Sequence, residues 1–305
     1  MNKIILDTDP GIDDAIAICY ALNHPQIEVL ALTTIYGNVA TGLATQNALR
    51  LCELNQHHIP VATGTDKPLK ITPNPVADFV HGMNGFGEIE LPAPKLKPSS
   101  ASAAELIVQL INKYPGEVTL AAVGPLSNLA LAMELDSSIM QKVKQVIVMG
   151  GAFHRDGNVT TQAEANIWND PHAAQQVLTA EWPVTVHGLD VTYQISFSAE
   201  YIEEIATHSK RVGGFLREAA KFYSEFYKKS LNFDGCCPHD QLALSYITNP
   251  EWYTLEQGIL DVVTEGDAIG KTTIEKSDKG NKFIATGVNR DALLQEYAEI
   301  VSCAV

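Results

Sequence analysis

Four carboxylates lie within one short segment near the start of the chain, Asp7-Thr8-Asp9-Pro10-Gly11-Ile12-Asp13-Asp14. Neither Lys nor Arg lies among them to offset their repulsion, so a bound cation is the simplest reason for the cluster. A set of oxygen ligands favours a hard ion, Ca²⁺ or Mg²⁺, over zinc. Helix capping would explain Asp13 and Asp14, but it leaves Asp7 and Asp9 unexplained. The spacing therefore predicts a metal site.

The acidic segment joins a short apolar run to a stretch with helical periodicity, which predicts a strand, a tight turn and a helix. The same alternation continues down the chain. The predicted strands are Ile4–Leu6, Val29–Thr33, Val61–Ala62, Val118–Ala122, Val146–Met149 and Val184–His187. The predicted helices between them are Ala15–Leu22, Thr41–Leu54, Ala103–Asn112, Ser127–Leu135 and Pro171–Thr179. Apolar strands separated by helices indicate an α/β fold, with an open, mostly parallel, doubly wound sheet covered by helices on both faces.

The later part of the chain is richer in helices. Its predicted helices are Ala199–Thr207, Gly213–Ser230, His239–Thr248 and Arg290–Val301, and a short additional strand pair is predicted at Ile259–Thr264 and Gly270–Ile274. The segment Lys67–Ser100 lacks clear periodicity, and loops of that length are usually functional or mobile. Because no Ser/Pro/Gly-rich linker interrupts the chain, we expect residues 1–305 to form a single catalytic domain.

The carboxyl ends of the predicted strands carry polar residues and glycines. In an open parallel sheet, ligands bind beyond these ends. The segments that follow the strands include Tyr36-Gly37-Asn38, Val123-Gly124-Pro125, Met149-Gly150-Gly151 and Gly188-Leu189-Asp190. We therefore expect these turns to surround the acidic segment.

The overall charge limits the classes of partner. Lys and Arg number 21 and Asp and Glu 36, a net charge of −15. This charge disfavours binding to nucleic acid or to an anionic membrane and suits a neutral or cationic small molecule. We see neither a signal peptide nor an apolar run long enough to span a bilayer.

The cysteines bear on the cellular compartment. An odd number at irregular spacing argues against a disulfide framework and favours a reducing, cytoplasmic setting. A soft-metal site at Cys236-Cys237 and His239 lacks a Cys-x-x-Cys pair, so buried free thiols are the favoured interpretation. The five are Cys19, Cys52, Cys236, Cys237 and Cys303.

Five motifs, in order, carry a resemblance to a known family: DTDPGIDDA, VGPLSNLA, VMGGAF, AEANIWNDP and PHD. The chain resembles the nucleoside hydrolases, and among them the inosine–uridine-type ribonucleoside hydrolases. The resemblance implies calcium-dependent hydrolysis of the N-glycosidic bond of ribonucleosides, which yields ribose and a free base. It further implies a role in purine or pyrimidine salvage and assembly as a homodimer or homotetramer.

The resemblance also implies a calcium site and a catalytic base. Asp9, Asp14 and Asp240 match the family's metal-binding aspartates, Val123 matches a residue that contributes its backbone carbonyl, and Asp7 matches a carboxylate behind the ligands. Asp9 additionally matches the general base that activates a calcium-bound water. Taken alone, Asp240 is better explained as a charge at a helix N-terminus.

The remaining matched positions surround the substrate. Positions implied to contact ribose are Asp13, Asn38, Met149, Asn158, Glu164 and Asn166, and those on the base side are His81, Tyr223, Tyr227 and His239. His239 is implied to act as the acid or relay for the leaving base. Without the resemblance, turn chemistry is the favoured explanation of Asn158, and a surface loop is the favoured explanation of Glu164 and Asn166. Core packing explains the two tyrosines as well as a functional role does. Ala165 and Cys236-Cys237 depart from the family pattern and bear on substrate range.

Two other functions stay open at this point. Asp7-Thr8-Asp9 after an apolar strand also fits a metal-dependent phosphatase of the haloacid dehalogenase type, with an aspartyl nucleophile. A ribose- or calcium-binding protein without turnover is the alternative outside the enzymes.

Overall fold

A single nine-stranded sheet forms the centre of the computed structural model, which describes residues 1–302. The strands are β1 Asn2–Thr8, β2 Ile27–Thr34, β3 Val61–Thr63, β4 Val118–Ala122, β5 Gln145–Met149, β6 Val184–His187, β7 Tyr253–Val262, β8 Thr272–Lys276 and β9 Lys282–Val288. Their order is β3-β2-β1-β4-β5-β6-β9-β7-β8. All pairs from β3 to β9 are parallel, whereas β7 pairs antiparallel with β9 and β8.

Helices connect the strands and close the chain. They are α1 Ile12–Asn23, α2 Thr41–Leu54, α3 Asp78–His81, α4 Ala103–Lys113, α5 Ser127–Leu135, α6 Ile139–Lys142, α7 Ala165–Asn169, α8 Pro171–Thr179, α9 Leu189–Thr192, α10 Ala199–His208, α11 Val212–Leu231, α12 His239–Ser245 and α13 Arg290–Ser302. The predicted α/β class is confirmed.

Both faces of the sheet are buried, which explains why the central strands are apolar throughout. In β1, Ile4 and Leu6 belong to one apolar core and Ile5 to another. Successive side chains of a strand point to opposite faces, so a strand covered on both sides lacks the alternation of apolar and polar residues. The two cores therefore lie on the two faces of the sheet.

Several helices begin at residues that cap them. At α8, the Asp170 carboxylate accepts a hydrogen bond from Ala173 N–H at 3.0 Å, and Pro171 occupies the first helical position. At α4, the Ser102 hydroxyl accepts from Glu105 N–H at 3.3 Å. Both arrangements satisfy N–H groups that have no partner inside the helix.

The sequence predictions omitted one strand and several short helices. The strand β9 was not predicted, although it joins the parallel part of the sheet to β7. The predicted strand pair is confirmed as β7 and β8, although β7 begins at Tyr253, earlier than expected. The long aperiodic segment contains only α3 as regular structure among its residues.

Four cysteines are free and buried in the described part of the chain, as predicted, and Cys303 lies outside it. Among residues 1–302, none of the helices combines the length and the apolar character needed to cross a membrane.

Candidate active site

Carboxylates from distant parts of the chain meet at the carboxyl edge of the sheet. One carboxylate oxygen from each of Asp13, Asp14 and Asp240 lies within 4.8 Å of the other two, and all three residues are buried. Asp13 and Asp14 lie in the first turn of α1, whereas Asp240 lies in the first turn of α12. The structure thus brings Asp240 to the acidic segment, as the resemblance implied.

Asp14 is held by four hydrogen bonds. Its Oδ1 accepts from the Thr8 hydroxyl and, at 3.1 Å, from the backbone N–H of Asp9. Its Oδ2 accepts from Gly11 N–H at 2.9 Å and from the Asn38 amide at 3.0 Å. Since the turn itself supplies three of the donors, the local fold fixes the direction of this carboxylate.

Asp9 lies beside the three clustered carboxylates rather than among them. Its Oδ2 accepts from Asn38 N–H at 2.7 Å, whereas its Oδ1 is buried and has no hydrogen-bond partner among the described residues. Two glycines enclose the group. A Cβ added at Gly37 would lie 2.0 Å from Oδ2, and one added at Gly124 would lie 2.6 Å from Oδ1. The close approach of both backbones therefore requires glycine.

Burial without a neighbouring positive charge raises the pKa of these carboxyl groups. Burial raises the pKa of Asp13 to about 6, and burial together with the Asp13 charge raises the pKa of Asp14 to about 6. Burial and the charge of Asp14 hold the pKa of Asp9 well above its usual range, and burial and the charge of Asp13 do the same for Asp240. Low polarity disfavours the ionised form of all four groups, and like charge adds to the effect at Asp9, Asp14 and Asp240.

These residues fit a hard divalent cation. The donors are carboxylate oxygens, which Ca²⁺ and Mg²⁺ prefer. The buried Oδ1 of Asp9 lacks a partner in the described chain, and an unpaired buried oxygen is costly. A positive ion among the carboxylates would satisfy that oxygen and offset their repulsion. The group is therefore a candidate metal centre.

Asp7 lies near the end of β1 and is completely buried. Its Oδ1 accepts from the Thr33 hydroxyl at 2.5 Å and from the Asn128 amide at 2.8 Å. Burial raises the pKa of Asp7 to about 7, despite both hydrogen bonds. The supporting role that the resemblance implied for Asp7 stays a prediction.

The carbonyl of Val123 and the side chain of Asn166 are joined directly. The Asn166 amide donates to Val123 O at 2.8 Å and to Met149 O at 3.2 Å. Asn166 therefore connects the ends of β4 and β5, and it places Met149, which is 3% exposed, at the same edge of the sheet.

Glu164 is buried and accepts three backbone hydrogen bonds. Its carboxylate accepts from Gly151 N–H at 2.9 Å, Asn166 N–H at 2.9 Å and Ile167 N–H at 3.2 Å. Burial nevertheless raises the pKa of Glu164. The residue thus caps α7 and fixes the turn after β5.

Asn158 is less closely integrated than the other predicted residues. It lies on an exposed loop, and its Oδ1 accepts from Ala165 N–H at 3.0 Å. This hydrogen bond connects the loop to Ala165, the first residue of α7.

A chain of hydrogen bonds leads from the acidic cluster to His239. Tyr223 O–H donates to Asp13 Oδ2 at 3.3 Å, and the hydroxyls of Tyr223 and Tyr227 lie 3.3 Å apart. Tyr227 Oη lies 2.7 Å from His239 Nε2, and Thr192 Oγ1 lies 2.7 Å from His239 Nδ1. Burial lowers the pKa of His239 to about 3, so its resting form is neutral.

His81 lies at the other side of this chain. Its Nδ1 accepts from Ile12 N–H at 3.2 Å, and its ring centroid lies 5.3 Å from that of Tyr223. Burial lowers the pKa of His81 to about 4. Since α3 carries His81 out of the long aperiodic segment, that segment contributes directly to the site.

Three residues around His239 were missed by the sequence predictions. Thr192 bonds to the ring, the Tyr193 ring packs edge-on against it at 5.1 Å, and the Arg155 guanidinium lies 4.2 Å over the Tyr193 ring. The available signal was the position of Thr192 and Tyr193 shortly after β6, at the carboxyl edge of the sheet.

Comparisons with known proteins identify the family of the chain. The model of the family "inosine-uridine preferring nucleoside hydrolase" matches residues 4–295. Uridine nucleosidase 1 of Arabidopsis thaliana is 43% identical over 279 residues, which cover 91% of this chain and 83% of the relative. The inosine-uridine preferring nucleoside hydrolase of Crithidia fasciculata is 36% identical over 268 residues, covering 87% and 84%. A plant nucleoside hydrolase structure superposes with a TM-score of 0.95 at 36% identity, covering 99% of each chain.

The family match extends over nearly the whole chain and includes the acidic segment and the later motifs. It confirms the resemblance drawn from the motifs, and the phosphatase interpretation of Asp7-Thr8-Asp9 gives way to it. The chain therefore belongs to the inosine-uridine preferring nucleoside hydrolase family, and it is an enzyme that hydrolyses ribonucleosides.

Proposed function

We propose that this enzyme cleaves the ribose–base bond of ribonucleosides, uridine among them, with Asp9 as the general base beside a calcium site. The observation that carries the proposal is the buried Asp9 Oδ1, which has no hydrogen-bond partner among the described residues and lies next to the carboxylate cluster. The name of the Arabidopsis relative supports uridine as a substrate.

The residues that would hold Ca²⁺ are Asp9, Asp14, Asp240 and the carbonyl of Val123. The convergence of Asp14 and Asp240 supports this set, and the same cluster includes Asp13. When bound, a calcium ion supplies positive charge that orients and acidifies the attacking water.

Asp9 would take one proton from the water as its oxygen attacks C1′ of the ribose. The bond from C1′ to the base nitrogen breaks with its electron pair on the base, and the second hydrogen of the water stays in the new C1′ hydroxyl. The departing base takes up one proton, equivalent to the proton received by Asp9, so the products are ribose and free base. Because the transition state is oxocarbenium-like, the carboxylates of Asp13 and Glu164 would stabilise the developing positive charge on the sugar.

Ribose hydroxyls require both donors and acceptors, which amides and carboxylates provide. We assign this role to Asp13, Asn38, Asn158, Glu164 and Asn166, and we assign Met149 to the lining of the ribose pocket. On the opposite side, His81, Tyr223, Tyr227 and His239 would contact the base. The neutral resting form of His239 favours hydrogen-bond donation or proton relay over a permanently charged acid.

The decisive test is a panel of nucleosides assayed for reducing sugar, with uridine, inosine, cytidine and 2′-deoxyuridine. Release of ribose from uridine, with a much lower kcat/KM for 2′-deoxyuridine, is expected, because a deoxy substrate leaves buried polar groups unpaired. Comparable values for uridine and 2′-deoxyuridine would refute the ribose assignment. Binding of ribose or calcium without turnover would instead indicate a protein that has lost catalysis.

The cellular setting completes the proposal. We place the enzyme in purine or pyrimidine salvage, as a single catalytic domain that assembles into a homodimer or homotetramer, without nucleic-acid or membrane partners. The four buried free thiols of the described chain support a reducing, cytoplasmic location. Size-exclusion chromatography with light scattering would measure the assembly.

A further inference from the structure

We propose that Thr192 is a positioning residue, which donates its hydroxyl hydrogen to His239 Nδ1 and so places the ring proton on Nε2, the nitrogen that faces Tyr227. The inference rests on the proposed function for its catalytic meaning. The placement of the proton itself follows from the hydrogen-bond chain alone.

The direction of donation along this hydrogen-bond chain is set at the carboxylate of Asp13. Tyr223 O–H donates to Asp13 Oδ2, so the Tyr223 oxygen has no hydrogen left for Tyr227 and must accept from it. Tyr227 O–H is then used, and its oxygen must accept from His239 Nε2–H. The Cys237 thiol also contacts Tyr227, but sulfur is a weaker acceptor than the Tyr223 oxygen.

The Thr192 end of the hydrogen-bond chain also indicates that the ring proton of His239 lies on Nε2. A neutral imidazole carries one ring proton, so a proton on Nε2 leaves Nδ1 as an acceptor. Thr192 is completely buried, and among the described residues its hydroxyl has His239 Nδ1 as its one hydrogen-bond partner. Placing the ring proton on Nδ1 would leave the Thr192 hydrogen unpaired in the interior, which is unfavourable.

The fold holds Thr192 where this bond requires it. Thr192 ends α9, the short helix that directly follows β6, and its N–H donates to Gly188 O at 3.1 Å. The strand β6 is paired on both sides, with β5 and with β9, so the short helix that carries the hydroxyl follows directly from an interior strand of the sheet. The ring of His239 is thereby fixed with an N–H donor on the side of the tyrosines and the proposed leaving base.

The test begins with ¹⁵N spectra of protein labelled at histidine, in which His239 is assigned by the loss of its signals in His239→Gln. The wild type should show a protonated Nε2 and an unprotonated Nδ1. Thr192→Val, which removes the hydroxyl and keeps the shape, should increase the population protonated at Nδ1. Thr192→Ser should restore the wild-type spectrum.

Kinetics supply the second measurement. Thr192→Val should lower kcat for uridine about tenfold, which corresponds to the loss of one ordinary hydrogen bond, and should leave KM nearly unchanged. The same variant should cleave p-nitrophenyl riboside at the wild-type rate. Thr192→Ser should recover the loss. The matched control is Thr185→Val, at a buried position of β6 away from the site, which should match the wild type in spectra and kinetics.

The proposal is overturned if the wild-type ring is protonated at Nδ1, if Thr192→Val changes neither tautomer nor kcat, or if both substrates slow equally. The wild-type spectrum decides the tautomer even if Thr192→Val does not fold. A wild type that cleaves no nucleoside would refute the proposed function, while the tautomer would still be measured.

Discussion

Gly124→Ala is a steric test of whether Asp9 must be held where it lies. Gly124 does not have a positive φ, so alanine fits its backbone and the substitution tests space alone. The added Cβ would lie 2.6 Å from Asp9 Oδ1 and 2.8 Å from Ile35 Cγ2. The fully buried Ile35 has little room to yield, so the Asp9 carboxylate must move.

The size of the effect follows from those distances. Ordinary van der Waals contact begins at 3.4 Å, so Asp9 Oδ1 must shift by about 0.8 Å. A misplacement of about 1 Å at a reacting group can cost on the order of 10²-fold in rate. We therefore expect kcat/KM for uridine to fall by about 10²-fold, together with a loss of stability of about 1–3 kcal/mol from overpacking.

The assay compares kcat/KM for uridine with unfolding in urea, and Gly42→Ala is the matched control. A Cβ at Gly42, which lies in α2, meets nothing within 4 Å. That variant should keep wild-type activity and gain roughly 0.5–1 kcal/mol of stability, since glycine weakens a helix.

The reasoning would be refuted by a folded Gly124→Ala enzyme with activity close to wild type. Such a result would mean that the position of Asp9 Oδ1 is not critical, and Asp9 would lose its proposed role as base. If Gly42→Ala lost as much activity as Gly124→Ala, the assay would be reporting a general effect of substitution rather than the contact with Asp9.

Asp9→Asn should lower kcat by roughly 10²–10⁴-fold, as expected for a lost general base, and near-normal steady-state turnover would exclude that role. Dialysis against EGTA should inactivate the enzyme and added Ca²⁺ should restore activity and raise Tm by linkage; full activity of the stripped protein would exclude an essential metal. Burial lowers the pKa of His187 from 6.5 to about 3, so the stability that its neutral ring contributes is present above pH 6.5 and is lost as the pH falls toward 3. Relative to His187→Leu, the free energy of unfolding of the wild type should therefore decrease by up to about 1.4 kcal/mol per pH unit in that interval, and parallel urea-titration curves for the two proteins would contradict this.

The helices and strands that were predicted most accurately are those that local sequence patterns identify. The helices Thr41–Leu54, Ser127–Leu135 and Pro171–Thr179 and the strands Val118–Ala122 and Val184–His187 have the bounds that were predicted. Apolar periodicity identifies each of them, and α8 also has a capping aspartate and a first-turn proline. Such signals act within a few residues, so they can be read without the tertiary structure.

The strand β9 and the helix α3 were missed for a different reason. Only Ile284 and Ala285 of β9 are buried, so this strand lacks the continuous apolar run of the central strands. Its pairing with β6 and β7 stabilises it as a strand. α3 has four residues, too few for a helical period, and it is held by packing against α11. Contacts distant in sequence decided both elements.

The sequence by itself determined the acidic segment, because a strand end, a Pro-Gly turn and the first turn of a helix bring Asp9, Asp13 and Asp14 together within a few residues. It also determined the family, through motifs that keep their order. Only the tertiary structure decided which distant groups meet them: Asp240 from α12, and Tyr223, which lies 210 positions from Asp13 and bonds to it. The physical reason is that hydrogen-bond partners and buried charges depend on packing between elements. The hydrogen-bond chain from Thr192 to Asp13, and with it the position of the proton on the His239 ring, forms only once those elements have packed.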